Sequence, residues 1–342
     1  MDTRLAQLTD WVRQIPGLEQ ATPEPVSGDA SFRRYFRVAD HNATFIVMDA
    51  PPEHEDCRPF VAIATHWHDH GVAVPAVVRQ DLDQGFLLLE DFGDQLLLGQ
   101  LNEENADRIY QGAMAELLRI QQLPANPDFP LPPYNTELLN REMALFPDWL
   151  LTQQLGLTLS DAEHCLLDTV FTFLRESALA QPDVVVHRDY HSRNLLARPA
   201  TAIPGVIDFQ DAVQGPITYD LVSLLKDCYV RWPDDAVERW VEHYRTLSLD
   251  AGLHHADAAT FRQWFELMGM QRHLKAAGIF ARLAIRDGKT GYLGDIPRTV
   301  QYLVDASARH GALRHFHEWL ESTVMPAINA QLVSPLQEKA GQ

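Results

Sequence analysis

The sequence predicts an α+β fold of two lobes, a small one built on an antiparallel sheet and a large one that is mainly helical. Three observations carry that expectation. Short apolar or alternating runs, bounded by turn residues, crowd between residues 26 and 90. From about residue 102 onward the apolar residues recur at helical spacing over long stretches. Between the two regions, near Glu90-Asp91, an apolar strand signal stops at a polar, hinge-like bend. The expected division is therefore 1–91 for the N-terminal lobe and 92–342 for the C-terminal lobe. A chain of 342 residues is long enough for two lobes around a cleft, and 46% apolar with 22% charged residues is the balance of an ordinary soluble protein. Only the tail after about Ser334 favours disorder.

The elements follow in order. Leu5, Leu8, Trp11, Val12 and Ile15 share one face of an N-terminal amphipathic helix. That segment has acidic residues and no apolar core of its own, so it does not read as a signal peptide. Residues 34–38 and 44–48 are strands joined through Asp40-His41-Asn42, and Pro51-Pro52 ends the hairpin. A helix is expected over 57–70, then strands over 72–78 and 86–89. Helices are expected at about 103–122, 135–154, 161–180, 219–231, 257–287 and 297–325. Ser160 with Glu163 gives the third of these a capping-box start. The proline-rich stretch 123–133 is a connection. Two short strand signals, 184–186 and 206–209, interrupt the helical part.

Composition narrows the function. Net charge is −19, so nucleic acids and anionic membranes, which bind through accumulated Lys and Arg, are disfavoured partners. No apolar run approaches the roughly 20 residues of a bilayer span. Cys57, Cys165 and Cys228 are odd in number and lack metal-type spacing, which suits reduced thiols in a cytoplasmic protein. Only four lysines occur, and the first is Lys226.

The chemistry sits after the 184–186 strand, in His187-Arg188-Asp189-Tyr190-His191-Ser192-Arg193-Asn194. This segment matches H-R-D-x-x-x-x-N at each specified position, and Gly205-Val206-Ile207-Asp208-Phe209 supplies a strand-borne Asp 19 residues after Asp189. A hydroxyl that attacks a γ-phosphoryl group needs a carboxylate to orient it and accept its proton, a role for Asp189. Mg²⁺ needs hard oxygen ligands, which Asn194 and Asp208 offer. The pattern is that of a Mg²⁺-dependent phosphotransferase with a protein-kinase-like fold. Only about ten residues separate Asp208 from the next helix, leaving no room for an activation segment, so the acceptor should be small.

Seven segments carry a resemblance: 28–38, 45–53, 87–94, 187–196, 205–212, 215–227 and 271–283. Together they resemble the aminoglycoside phosphotransferase family, and within it the anomeric N-acetylmuramate/N-acetylglucosamine kinases of bacterial cell-wall recycling. The resemblance spans about residues 25–325. It implies ATP- and Mg²⁺-dependent phosphorylation of the sugar C1 hydroxyl to the α-1-phosphate. Aminoglycoside or choline kinases are alternatives within the fold, and a nucleotide-binding pseudokinase is a further one.

The remaining candidates fall around this frame. Ser27, Gly28, Ala30 and Ser31 occupy the place of a phosphate-covering loop, although with a single glycine. Met48 stands where a protein kinase carries its phosphate-pairing lysine, so Arg33 or Arg34 is expected to supply that charge. Asp91-Phe92-Gly93 spells a metal motif but precedes the catalytic loop; the backbone from Leu89 through Glu90 to Phe92 is expected to meet adenine instead. His66, His68 and His70 do not share the spacing of a metal cluster. His187 is expected to hold the loop, His191 and Asp211 to touch substrate, and Arg193 to neutralise phosphate charge. Asp220 is expected to cap its helix and brace the loop. Arg272 and Lys275, on one helix with Gln271, form a basic patch suited to a substrate carboxylate, with Glu142 and Trp149 as weaker contacts. A monomer is expected.

Overall fold

The computed structural model describes residues 2–26, 32–40, 43–198 and 201–333. It divides into two compact units, Met1–Leu131 with Arg193–Asp211, and Pro132–Ser192 with Ala212–Gln342.

In the first unit, helix α1 (Thr3–Arg13) starts where Asp2 accepts from the Leu5 amide, and it buries Leu8, Trp11 and Val12. Their partners come from a five-stranded antiparallel sheet, ordered β1 (Glu24–Pro25), β2 (Arg34–Ala39), β3 (Thr44–Asp49), β5 (Phe86–Glu90), β4 (Val77–Asp81). Period-two alternation turns Phe36, Val38, Val47, Phe86 and Leu88 onto that helix. The sheet departs from expectation at two strands: β1 lies outside the expected set, and β4 starts late. Pairing begins at Val77, not at residue 72, because the Ala73 amide and carbonyl are used elsewhere: Ala73 donates to Glu116 and accepts from the Val206 amide. Helix α2 (Arg58–Asp69) falls where the sequence placed it, and α3 (Ala106–Gln121) ends one residue short of the expected end. The 193–211 segment adds a small ladder, β7 (Leu195–Leu196) against β8 (Gly205–Val206).

The second unit is helical apart from one pair, β6 (Asp183–Val186) with β9 (Val213–Pro216), in which Val186 faces Val213. Strand β9 gave no sequence signal. The single helix expected over 135–154 is α4 (Thr136–Met143) followed by a π-helical stretch, Phe146–Gln154, around Pro147, which has no amide to donate. Helix α5 (Asp161–Leu179) carries the predicted capping box. The helix expected over 219–231 stops at α6 (Tyr219–Leu225), and the chain turns at Lys226. Helix α7 (Asp234–Asp250) lies outside the expected elements. Helix α8 (Ala258–Asp287) runs 30 residues and ends on Gly288 with φ +68°, a left-handed cap that suits glycine. The helix expected over 297–325 is broken at 308–313 into α9 (Ile296–Ser307) and α10 (Arg314–Trp319); a π-helical turn, Leu320–Val324, and α11 (Met325–Ile328) follow. Among the described residues no helix is long and apolar enough to cross a membrane.

Candidate active site

In the second unit, strand β6 delivers the chain to His187, and the loop that follows is held by buried carboxylates. Asp220, in the first turn of α6, accepts from the amides of His187 (2.6 Å) and Arg188 (3.0 Å). Burial pushes the Asp220 carboxyl up to about 6, against those hydrogen bonds and the nearby His187. Its helix has no side-chain cap, so Asp220 braces the loop without capping α6. Asp227 accepts from the amide (3.0 Å) and hydroxyl (2.5 Å) of Ser192 and from the Tyr229 amide (3.0 Å). Asp227, two residues beyond the end of α6, thus faces the loop. His187 is fully buried, and its Nδ1 accepts from the Asp189 amide at 3.2 Å.

Arg188 takes a left-handed backbone, φ +78°. Its guanidinium pairs with Glu142 of α4, which also lies 3.3 Å from Lys275 and accepts from the Tyr134 hydroxyl. Burial alone would raise the Glu142 carboxyl, but Lys275 and Arg188 outweigh it and hold Glu142 below its ordinary range. Asp189 obeys the same balance. Burial opposes its charge, while Lys275, His191, Arg272 and Arg188 hold it well below the usual carboxylate range. The carboxylate is therefore ionised near neutral pH. Burial pushes His191 down to about 4, so its imidazole is neutral there. Asp189, His191, Tyr219, Tyr229, Arg272 and Lys275 line one cavity of about 130 Å³. Glu142 is a buried counter-charge in this unit and does not line that cavity. Trp149 lies in the π-helical stretch.

In the first unit, Asn194 and Asp208 meet. Asn194 Nδ2 donates to Asp208 Oδ2 at 3.1 Å, and Gln210 Nε2 donates to Oδ1 at 2.8 Å. The Ile207 amide donates to the Asn194 carbonyl, continuing the β7–β8 ladder by one bond. Pairing stops there because Asp208 adopts φ +66°, which ends the strand expected to run to Phe209. A non-glycine residue in that region costs of order 1–3 kcal/mol, strain that persists where the surroundings impose it. An amide oxygen and a carboxylate brought together fit Mg²⁺, a hard cation that takes oxygen ligands.

Arg33, Met48, Cys57, Gln210 and Asp211 line a second cavity, of about 300 Å³. The structure separates the two arginines. Arg33 faces this cavity, 3.9 Å from Glu55, whereas Arg34 is engaged by Asp49 and Asp2. Asp211 lies with Arg33. Arg193 is half-buried. Asp91 is held by Arg37 at 2.6 Å, which gives the decoy Asp-Phe-Gly a structural partner. The Glu90 amide donates to Ala76, and its carboxylate accepts from the Ala76 amide. Phe92 lies over Gly205, where a Cβ would come within 2.3 Å of the ring, and Arg198 covers the ring at 5.0 Å. Ser27, Gly28, Ala30 and Ser31 lie outside the described residues.

A model of the phosphotransferase enzyme family matches residues 22–262. The chain belongs to that family. This phosphotransferase is 47% identical over 328 residues to a protein of Pseudomonas putida named N-acetylmuramate/N-acetylglucosamine kinase, covering 93% of this chain and 96% of that one. A second protein of that name, from Pseudomonas aeruginosa, is 43% identical over 94% and 97% of the two chains. Among solved structures, an ethanolamine kinase of Plasmodium vivax matches at TM-score 0.63 and 11% identity, over 91% of this chain and 89% of that one. At that identity the likeness is one of fold: the phosphotransferase has the kinase-like architecture that its loop signature predicts.

Proposed function

We propose that this phosphotransferase moves the γ-phosphoryl group of ATP to the anomeric C1 hydroxyl of N-acetylmuramate and N-acetylglucosamine, giving the α-1-phosphates for peptidoglycan recycling in the cytoplasm. The observation that carries the reading is the 47% identity, across nearly the whole of both chains, to a kinase named for those two sugars. Solved relatives in complex with nucleotide, such as an aminoglycoside 2'-phosphotransferase with GDP, support a nucleotide donor.

The residues take roles that follow from their surroundings. Asp189, kept ionised by Lys275 and Arg272, orients the sugar hydroxyl and accepts its proton as the oxygen bonds to the γ-phosphorus. The bond from that phosphorus to the β-phosphate bridging oxygen breaks, and ADP leaves with the electron pair. Asn194 and Asp208 would hold Mg²⁺, which neutralises charge on the phosphate oxygens. Arg33, which lines the cavity with Gln210 and Asp211, would meet phosphate in place of the missing lysine. The Ser27–Ser31 loop would cover the phosphates, with Glu90 and Phe92 at the adenine. Arg193 adds charge at the phosphoryl group. His191 offers a neutral imidazole to the sugar, and Asp211 an acceptor.

Asp189→Asn keeps the shape of the side chain and removes the base. Turnover should fall by about 10²–10⁴-fold. The assay couples ADP release to NADH oxidation with each sugar. Near-normal turnover by the variant, or a wild type active on ethanolamine or an aminoglycoside and on neither amino sugar, would refute the assignment.

A further inference from the structure

Three cations of the second unit, Arg188, Lys275 and Arg272, act on the Asp189 carboxylate, and two of them are already satisfied. Arg188 is paired with Glu142. Lys275 lies 3.3 Å from the same carboxylate and donates to the Tyr219 hydroxyl at 2.9 Å. Gln271, another polar residue of this part of α8, turns to Tyr134 at 3.0 Å and Glu142 at 3.3 Å.

Arg272 differs. It is 5% exposed, and among the described residues no carboxylate lies within ion-pair distance of it. Its Nη1 reaches only the Cys228 thiol, at 3.7 Å, and its Nε has no hydrogen-bond partner. Burial pushes that thiol up, so Cys228 is no counter-ion. A buried guanidinium that feels Asp189 and Asp227 only at longer range and has no carboxylate in direct contact is costly, and a ligand carboxylate that pairs it recovers that cost. The group lines the same cavity as Asp189, where a ligand can reach it. Further along α8, Ala276, Ile279 and Phe280 stand at i+4, i+7 and i+8 from Arg272, giving the wall an apolar surface. Tyr292 stacks on Phe280 with ring centres 5.6 Å apart.

The two sugars of the proposed reaction differ at one group: N-acetylmuramate carries a lactyl ether ending in a carboxylate, and N-acetylglucosamine carries a hydroxyl. We propose that Arg272 receives the lactyl carboxylate and thereby sets the preference between the two sugars, an inference that rests on the kinase reading above. The planar guanidinium meets a carboxylate with two parallel hydrogen bonds. The lactyl methyl and the sugar face lie against Ile279 and Phe280. Lys275 is bound to Glu142 and Tyr219 and serves the charge of the loop, not the substrate carboxylate.

The test is a ratio: kcat/KM for N-acetylmuramate over kcat/KM for N-acetylglucosamine, measured in wild type, Arg272→Met and Arg272→Lys. Loss of a buried charge pair is expected to lower the ratio by about 30-fold or more in Arg272→Met, and by less in Arg272→Lys, which keeps the charge without the fork. A ligand-side arm needs no altered protein. Wild type should discriminate against the methyl ester of N-acetylmuramate relative to the acid by a similar factor. A ratio that moves less than about threefold in Arg272→Met, or a wild type that treats ester and acid alike, overturns the assignment of Arg272. Turnover of neither sugar by the wild type overturns the kinase reading and this inference with it.

Discussion

Arg188 and Asp208 are the two non-glycine residues with left-handed backbone among those described, and each adjoins or forms a group that phosphoryl transfer would use. Strain at such positions persists only where the surroundings impose it. Arg188 is held by Glu142 and by the Asp220 carboxylate on its amide, and Asp208 by Asn194 and Gln210. Removing the Glu142 charge leaves Arg188 and Lys275 without their shared counter-ion. Glu142→Gln should therefore lower stability by about 3–5 kcal/mol, the usual cost of breaking a buried pair from one side. Urea unfolding followed by circular dichroism gives the number, and a loss under about 1 kcal/mol would mean that Glu142 is not the clamp. Asp208→Asn keeps the volume and removes one negative oxygen. The Mg²⁺ concentration for half-maximal rate should rise by at least about tenfold, as changes around metal ligands commonly do. Titrating Mg²⁺ at saturating ATP and sugar checks it.

Helices set where these residues stand, and α8 does most of this in the second unit. It carries Arg272 and Lys275 on its middle turns and Glu266 nearer its start. Glu266 meets Arg309, just beyond α9, at 3.2 Å. Burial would raise the Glu266 carboxyl, but His310, Arg309 and Lys226 outweigh it and hold it down to about 2. Its ordinary value is 4.5, so the folded state binds the proton less readily than the unfolded chain. The resulting stabilisation is complete above about pH 4.5 and is lost as pH falls through about 2. Glu266→Gln should therefore lower Tm at pH 7, and the difference from wild type should shrink as pH falls from 4.5 towards 2. A difference that stays constant over that range would show that charge is not its source.

The elements also show which signals were legible. Helix α7 announced itself through Val237, Trp240, Val241 and Tyr244 at helical spacing, yet it stands outside the expected set. The truncation of α6 was hidden, because it follows from a contact 35 residues away between Asp227 and Ser192. Strand β9 was hidden for a similar reason: Val213–Pro216 is a strand through its pairing with β6, not through its own composition.

For the molecule as a whole, the candidate site was readable where chemistry uses consecutive residues and unreadable where it uses distant ones. His187 to Asn194 and Gly205 to Phe209 form local motifs, so Asp189, Asn194 and Asp208 could be picked out from spacing alone. Glu142 is 46 residues from Arg188, and nothing in its helix marks it as a counter-ion. The basic patch at 271–275 was visible as composition, but the structure distinguishes its members by burying Gln271 and Lys275 against Glu142. The net charge of −19 makes that concentration of cations around Asp189 more pronounced. The expected acceptor is a small amino sugar, brought to a carboxylate that stays ionised. The most direct test is phosphorus NMR of the products formed from ATP, Mg²⁺ and N-acetylmuramate. One new phosphomonoester resonance is expected, coupled to the anomeric proton of an α-1-phosphate, that grows as ADP appears. ADP formation with the phosphate on another sugar carbon, or no transfer to the sugar at all, would contradict it.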